Sequence, residues 1–119
     1  EQGLKEAIAE IQQIRKEFYA NARVPNNSEY MNTELAKALR VADFIDLGEL
    51  MCFDALNRNE SCGGHFREEY QTEDGEALRD DEQYKYVAAW EWTGNPSAPK
   101  LNKEELVYEN IKVQQRSYK

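Results

Sequence analysis

The chain has 119 residues, and 15 Lys+Arg against 23 Asp+Glu leave a formal net charge of −8. With 40% hydrophobic and 32% charged residues, it suits one globular domain rather than a disordered acidic tail. No run approaches the roughly 20 apolar residues of a membrane span, and without a basic stripe a nucleic-acid backbone is an unsuitable partner. The chain opens on Glu1 directly in helix-like sequence, so it is expected to be a piece of something longer.

From Gln2 to about Ala22, Leu4, Ala7, Ile8, Ile11, Ile14 and Phe18 follow the three-and-four spacing of one helix face. Lys5, Glu6, Glu10, Gln12, Arg15 and Glu17 fill the remainder. The helix should stop before Val24-Pro25, because proline disfavours helical geometry in the residue before it. Asn26, Asn27 and Ser28 then read as a turn.

A second helix is expected from about Asn32 to Asn57, with Asn32 or Thr33 able to cap its first turn. Its polar residues Lys37, Arg40, Asp43, Asp46 and Glu49 recur every third position, so the polar line winds around the helix. Most of the other positions are apolar, among them Leu39, Phe44, Leu47, Met51 and Phe53. A helix apolar on most sides needs more than one neighbour. One amphipathic partner within the chain is too little.

Beyond Asn57 the character changes. Gly63-Gly64 marks a break, Asp74-Gly75 a turn, and Asp80-Asp81-Glu82 an acidic run. Tyr84–Trp92 and Val107–Val113 carry the aromatic and β-branched residues of strands, with loop sequence at Gly94–Pro99 between them. The expected architecture is mainly α: an antiparallel helical hairpin over 1–57, part of a three-helix bundle, then an extended tail with a β-hairpin over 58–119.

Several chemistries fail on inspection. Cys52 and Cys62 form no CxxC pair, and His65 is the sole histidine, too few ligands for four-coordinate zinc. This cysteine usage favours a reducing compartment, with Cys52 read as a small apolar helix residue. Neither GxGxxG nor GxxxxGK[ST] occurs. A calcium loop built on Gly75 would place Tyr70 at its first ligand. Glu68-Glu69 and Asp80-Asp81-Glu82 read as solvated charge, and His65 near Ser61 or Cys62 lacks the orienting third group of a nucleophile. No catalytic residue is assigned.

One segment stands apart: Arg58-Asn59-Glu60-Ser61-Cys62-Gly63-Gly64-His65-Phe66-Arg67-Glu68-Glu69-Tyr70. The residues alone suggest a tight turn in which Gly63 and Gly64 allow close backbone approach and His65 and Arg67 project toward a neighbouring surface. A helix C-cap with incidental polar residues is the plainer alternative. The segment resembles the E-S-R-G-[AG]-H-x-R-E-[DE]-[FYH] signature in the C-terminal region of the succinate dehydrogenase and fumarate reductase flavoprotein subunit. The resemblance extends from ELAKALRVADFIDLGELMCFDAL through YVAAWEW to IKVQQRSYK. Cys62 stands where most relatives have arginine, which puts in doubt any role of that arginine here; SCGGHFREEYQT looks like a bacterial branch. L-aspartate oxidase shares a similar helical end, but the tail from Gln71 onward fits the respiratory subunits better.

The resemblance implies a C-terminal helical domain, lacking the first helix of its bundle, from a protein that interconverts succinate and fumarate. It implies FAD in the parent protein but no cofactor in this fragment. Expected partners are the flavin-binding and capping domains of the same chain and an iron–sulfur subunit, with membrane anchor subunits a further candidate. The parent complex would sit at the cytoplasmic face of the inner membrane. Glu60, Ser61, Gly63, Gly64, His65 and Arg67 are the expected interdomain contact. A free-standing helical module that binds a protein partner is the alternative.

Overall fold

A computed structural model describes residues 1–25 and 31–114. Helix α1 spans Gln2–Asn21 and helix α2 spans Thr33–Asn57. A single-turn helix α3 (Asp81–Tyr84) leads into strand β1 (Tyr86–Glu91), which pairs antiparallel with β2 (Lys100–Glu105). The architecture is mainly α, as the helical periodicity predicts. The turn expected at 26–28 lies outside the described residues.

Both long helices begin and end near the predicted positions for identifiable reasons. Asn32 is the α2 cap: its side chain accepts a bond from the Leu35 N–H at 3.0 Å. The α1 helix ends with the Ala22 N–H on the Phe18 carbonyl, after which Ala22 is extended, three residues before Pro25. Leu4, Ala7, Ile8, Ile11 and Phe18 form the half-buried stripe of α1 facing α2, but Ile14 is exposed and Arg15 takes an inner position. The reason is electrostatic: Arg15 reaches two carboxylates on α2.

The tail departs from expectation at three places. The first strand falls within the predicted segment, but its partner is KLNKEE at 100–105, and residues 107–113 form no strand. The predicted partner was chosen on β-branched and aromatic content, whereas the observed pairing runs Tyr86↔Glu105 to Glu91↔Lys100 through polar residues. Finally, the acidic run is α3, capped by Asp80, whose side chain accepts from the Gln83 N–H at 3.0 Å.

The hairpin attaches to α2 through named contacts. The Trp90 indole donates to Asp54 at 2.8 Å, and Arg58 donates to the Tyr84 carbonyl at 2.7 Å. The Arg58 guanidinium also lies 5.7 Å from the Tyr84 ring centre and 5.6 Å from that of Tyr86.

Among the described residues no apolar side chain is fully buried; the buried ones are Glu49, Glu60, Ser61 and Arg67. The interior is therefore pinned by hydrogen bonds and ion pairs, while Phe44 (66% exposed), Leu47 (52%) and Met51 (64%) face outward from α2. More than one neighbour does pack on α2, yet this side stays uncovered. No helix among the described residues is long and apolar enough to cross a membrane.

Candidate functional site

The loop after α2 is a self-contained polar knot. Cys62 and His65 exchange backbone bonds across Gly63-Gly64, the Cys62 N–H donating to His65 at 2.8 Å and the His65 N–H to Cys62 at 3.1 Å. Gly63 has φ of 58°, as a two-residue hairpin turn asks of its first central residue. The space beside Gly63 and Gly64 is open, so the expected close approach of backbone is not why glycine stands there. At Gly63 the requirement is the left-handed backbone.

Ser61 ties the two ends of this turn. Its hydroxyl donates to the Arg67 carbonyl at 3.1 Å and accepts from the Arg67 N–H at 2.8 Å, while its own N–H donates to the Leu78 carbonyl at 2.8 Å. Glu60 anchors the loop to the next segment. Its carboxylate accepts from Arg58 Nε and from the Asp80 N–H, both at 2.8 Å.

Arg67 turns inward rather than projecting outward, and is only 5% exposed. Its Nη1 donates to the Ala55 carbonyl at 2.9 Å and to Asn59 Oδ1 at 3.3 Å, closing over the last turn of α2 where helix carbonyls lack partners. Nε donates to Glu69 at 3.2 Å, and the guanidinium stands 5.2 Å from the Tyr70 ring centre. Nη2 is buried without a hydrogen-bond partner. His65 is half-buried, donating from Nε2 to the Arg58 carbonyl at 2.9 Å.

The predicted residues are thus gathered in one place, with different tasks. Glu60, Ser61 and Arg67 hold the loop's shape from inside; Gly63 and Gly64 are exposed, and His65 lies between the two conditions. Cys62 and Cys52 are free thiols. Among the described residues no group of three or more His, Cys, Asp or Glu is placed to hold a metal ion.

A second polar cluster escaped the sequence reading. Glu49 is fully buried; it accepts from Gln12 Nε2 at 2.7 Å and is paired with Arg15 Nη2. Arg15 Nε donates to Asp46 at 2.7 Å, and Nη1 reaches Ser97 Oγ at 3.4 Å. This joins α1, α2 and the loop after β1. Burial opposes ionisation of Glu49, but hydrogen bonds from Gln12, Arg15 and Ser97 outweigh it and hold the carboxyl below the usual carboxylate range. For Arg15 burial likewise opposes the charge, and the bonds to Glu49 and Asp46 prevail, raising its pKa. The only hint in sequence was an ordinary one, Glu49 falling on the winding polar line.

Fold and loop together define a mainly α domain: two long helices locked by polar contacts, with a β-hairpin appended. Residues 1–118 match the family model described as the fumarate reductase flavoprotein C-terminus. The chain belongs to that family, the C-terminal domain of the fumarate reductase/succinate dehydrogenase flavoprotein. No curated protein and no solved structure matches it.

Proposed function

We propose that this domain is a scaffold within a flavoprotein that interconverts succinate and fumarate. It covers the flavin domain of the same protein and fixes that domain's position, while the redox chemistry takes place elsewhere. The observation that carries this reading is the outward apolar side of α2, Phe44, Leu47 and Met51, on a chain whose own interior is polar. Covering the exposed part of each such side chain recovers a fraction of the about 1.5–3 kcal/mol that full burial is worth. An exposed stripe of this kind marks a surface meant to be covered.

The 58–70 loop is the second part of the proposed contact. Glu60, Ser61 and Arg67 give the loop a fixed shape, and Gly63, Gly64 and His65 present it to the neighbouring domain. FAD in the parent protein would accept a hydride from succinate and release electrons singly to an iron–sulfur subunit. Among the described residues the sheet is one antiparallel pair and no helix starts from a glycine-rich turn after a strand, so this reading takes the flavin to be held by the rest of the parent protein. Assembly at the cytoplasmic face of the inner membrane, through membrane anchor subunits, belongs to the same proposal.

The test uses the full-length flavoprotein. Leu47→Asp and His65→Ala should each lower flavin retention or assembly with the iron–sulfur subunit, leaving the fold of this domain intact by circular dichroism. Unchanged flavin content and succinate oxidation in both variants would remove the basis for the scaffold reading.

A further inference from the structure

Between α2 and the loop that follows β1 lies a groove of about 270 Å³, lined by Leu47, Leu50, Trp90, Trp92, Pro96 and Pro99, with Asp46 and Glu91 also bordering it. Its wall is almost entirely apolar, and Trp92 is 65% exposed. The two carboxylates differ in how well they are matched. Glu91 accepts from Lys100 at 2.9 Å and from Asn102 at 3.0 Å, which balances its charge. Asp46 shares its only ion-pair partner among the described residues, Arg15, with Glu49.

One guanidinium therefore serves two carboxylates, and the cluster keeps one negative charge in excess. Glu49 is sealed from solvent, whereas the Asp46 side chain is 41% exposed. The unmatched charge therefore emerges at Asp46, on the groove. An apolar channel with an indole on its wall and an unbalanced carboxylate suits a side chain with an apolar stem and a cationic end. Arginine meets this better than lysine, because its planar guanidinium is weakly hydrated and stacks on aromatic faces.

We propose that this groove is a docking site for an arginine of a partner protein segment, its stem lying along Leu47, Leu50 and the prolines and its guanidinium between Trp92 and Asp46. The net charge of −8 favours approach by such a basic segment. The groove shares Leu47 with the side of α2 proposed to meet the flavin domain and lies apart from the glycine turn of the 58–70 loop; the proposal does not depend on flavin chemistry.

Trp90 and Trp92 are the chain's two tryptophans, so two indole N–H signals in a nitrogen–proton NMR spectrum report directly on the groove. The probe is an N-acetylated, C-amidated pentapeptide with one central arginine flanked by leucines, titrated into the 119-residue chain beside a copy carrying uncharged citrulline. The arginine peptide should shift both indole signals saturably and bind at least about threefold more tightly than the citrulline peptide. Asp46→Asn, which keeps an acceptor for Arg15, and Trp92→Ala, at an exposed position, should each weaken it by a similar factor. Equal binding of the citrulline peptide, no saturable shift with either peptide, or an unchanged Kd in either variant would overturn the proposal.

Discussion

The loop at 58–80 and the outer side of α2 are organised in opposite ways. In the loop, Glu60, Ser61 and Arg67 are buried polar groups: Ser61 is bonded to the Arg67 backbone, Arg67 to the end of α2, and Glu60 to Arg58 and the Asp80 N–H. On α2, Phe44, Leu47 and Met51 are large apolar side chains left in solvent. The difference separates two jobs that a hydrophobic core usually does at once. Directional hydrogen bonds fix the shape of this chain, and its apolar surface remains available for contacts beyond it.

If that division is right, removing buried polar groups should be far more damaging than removing exposed apolar ones. The largest effect is expected at the helix pair. Arg15→Ala leaves Glu49 buried without its ion partner, and should cost about 3–5 kcal/mol in urea unfolding of the chain. A loss below about 1 kcal/mol would mean that water already reaches Glu49. Ser61→Ala strands the Arg67 N–H and carbonyl that the hydroxyl serves, with an expected loss of about 1–3 kcal/mol. A shift in thermal midpoint no larger than that of an exposed Ser→Ala control would place the loop's strength elsewhere.

A pH series sharpens the same contrast. The Glu49 carboxyl titrates lower in the folded chain than in the unfolded one. Its contribution is therefore complete above the usual carboxylate range and is lost as the pH falls through the depressed folded value. Glu49→Gln should flatten the fall in stability on acidification, and an unaltered slope would show that other carboxylates dominate it. The smallest effect is expected on the outer side of α2. Met51→Gln should change the stability of the chain by no more than about 0.5 kcal/mol, checked by the same urea titration. A clear loss there would mean that the apolar stripe supports the domain itself, erasing the comparison.

The helices were readable because their signals are local. Apolar spacing set the inward face of α1, Asn32 supplied a cap, and Pro25 marked a limit. The exception at Arg15 shows where periodicity stops being informative: a guanidinium displaced Ile14 from the inner face because two carboxylates on another helix waited for it. Nothing in the spacing of Glu49 distinguishes it from the solvated polar residues beside it. The 58–70 loop was recognisable as a turn from Gly63-Gly64, but the inward course of Arg67 depends on the carbonyl of Ala55, twelve residues earlier. Strand β2 was missed because β-propensity reflects packing on a half-buried surface. Of its six residues, only Leu101 is half-buried and the other five are exposed.

That polar composition has a consequence for how the chain behaves in a crowded solution. A two-stranded ribbon has an outer edge on each strand, whose free N–H and C=O groups can recruit another chain and begin fibrillar growth. On β2 that risk is met by Lys100, Lys103, Glu104 and Glu105, which would have to be stripped of water and brought against like charges if ribbons stacked in register. The strand that looks least like a strand in sequence is thereby a barrier to aggregation, in a sheet that has two strands among the described residues.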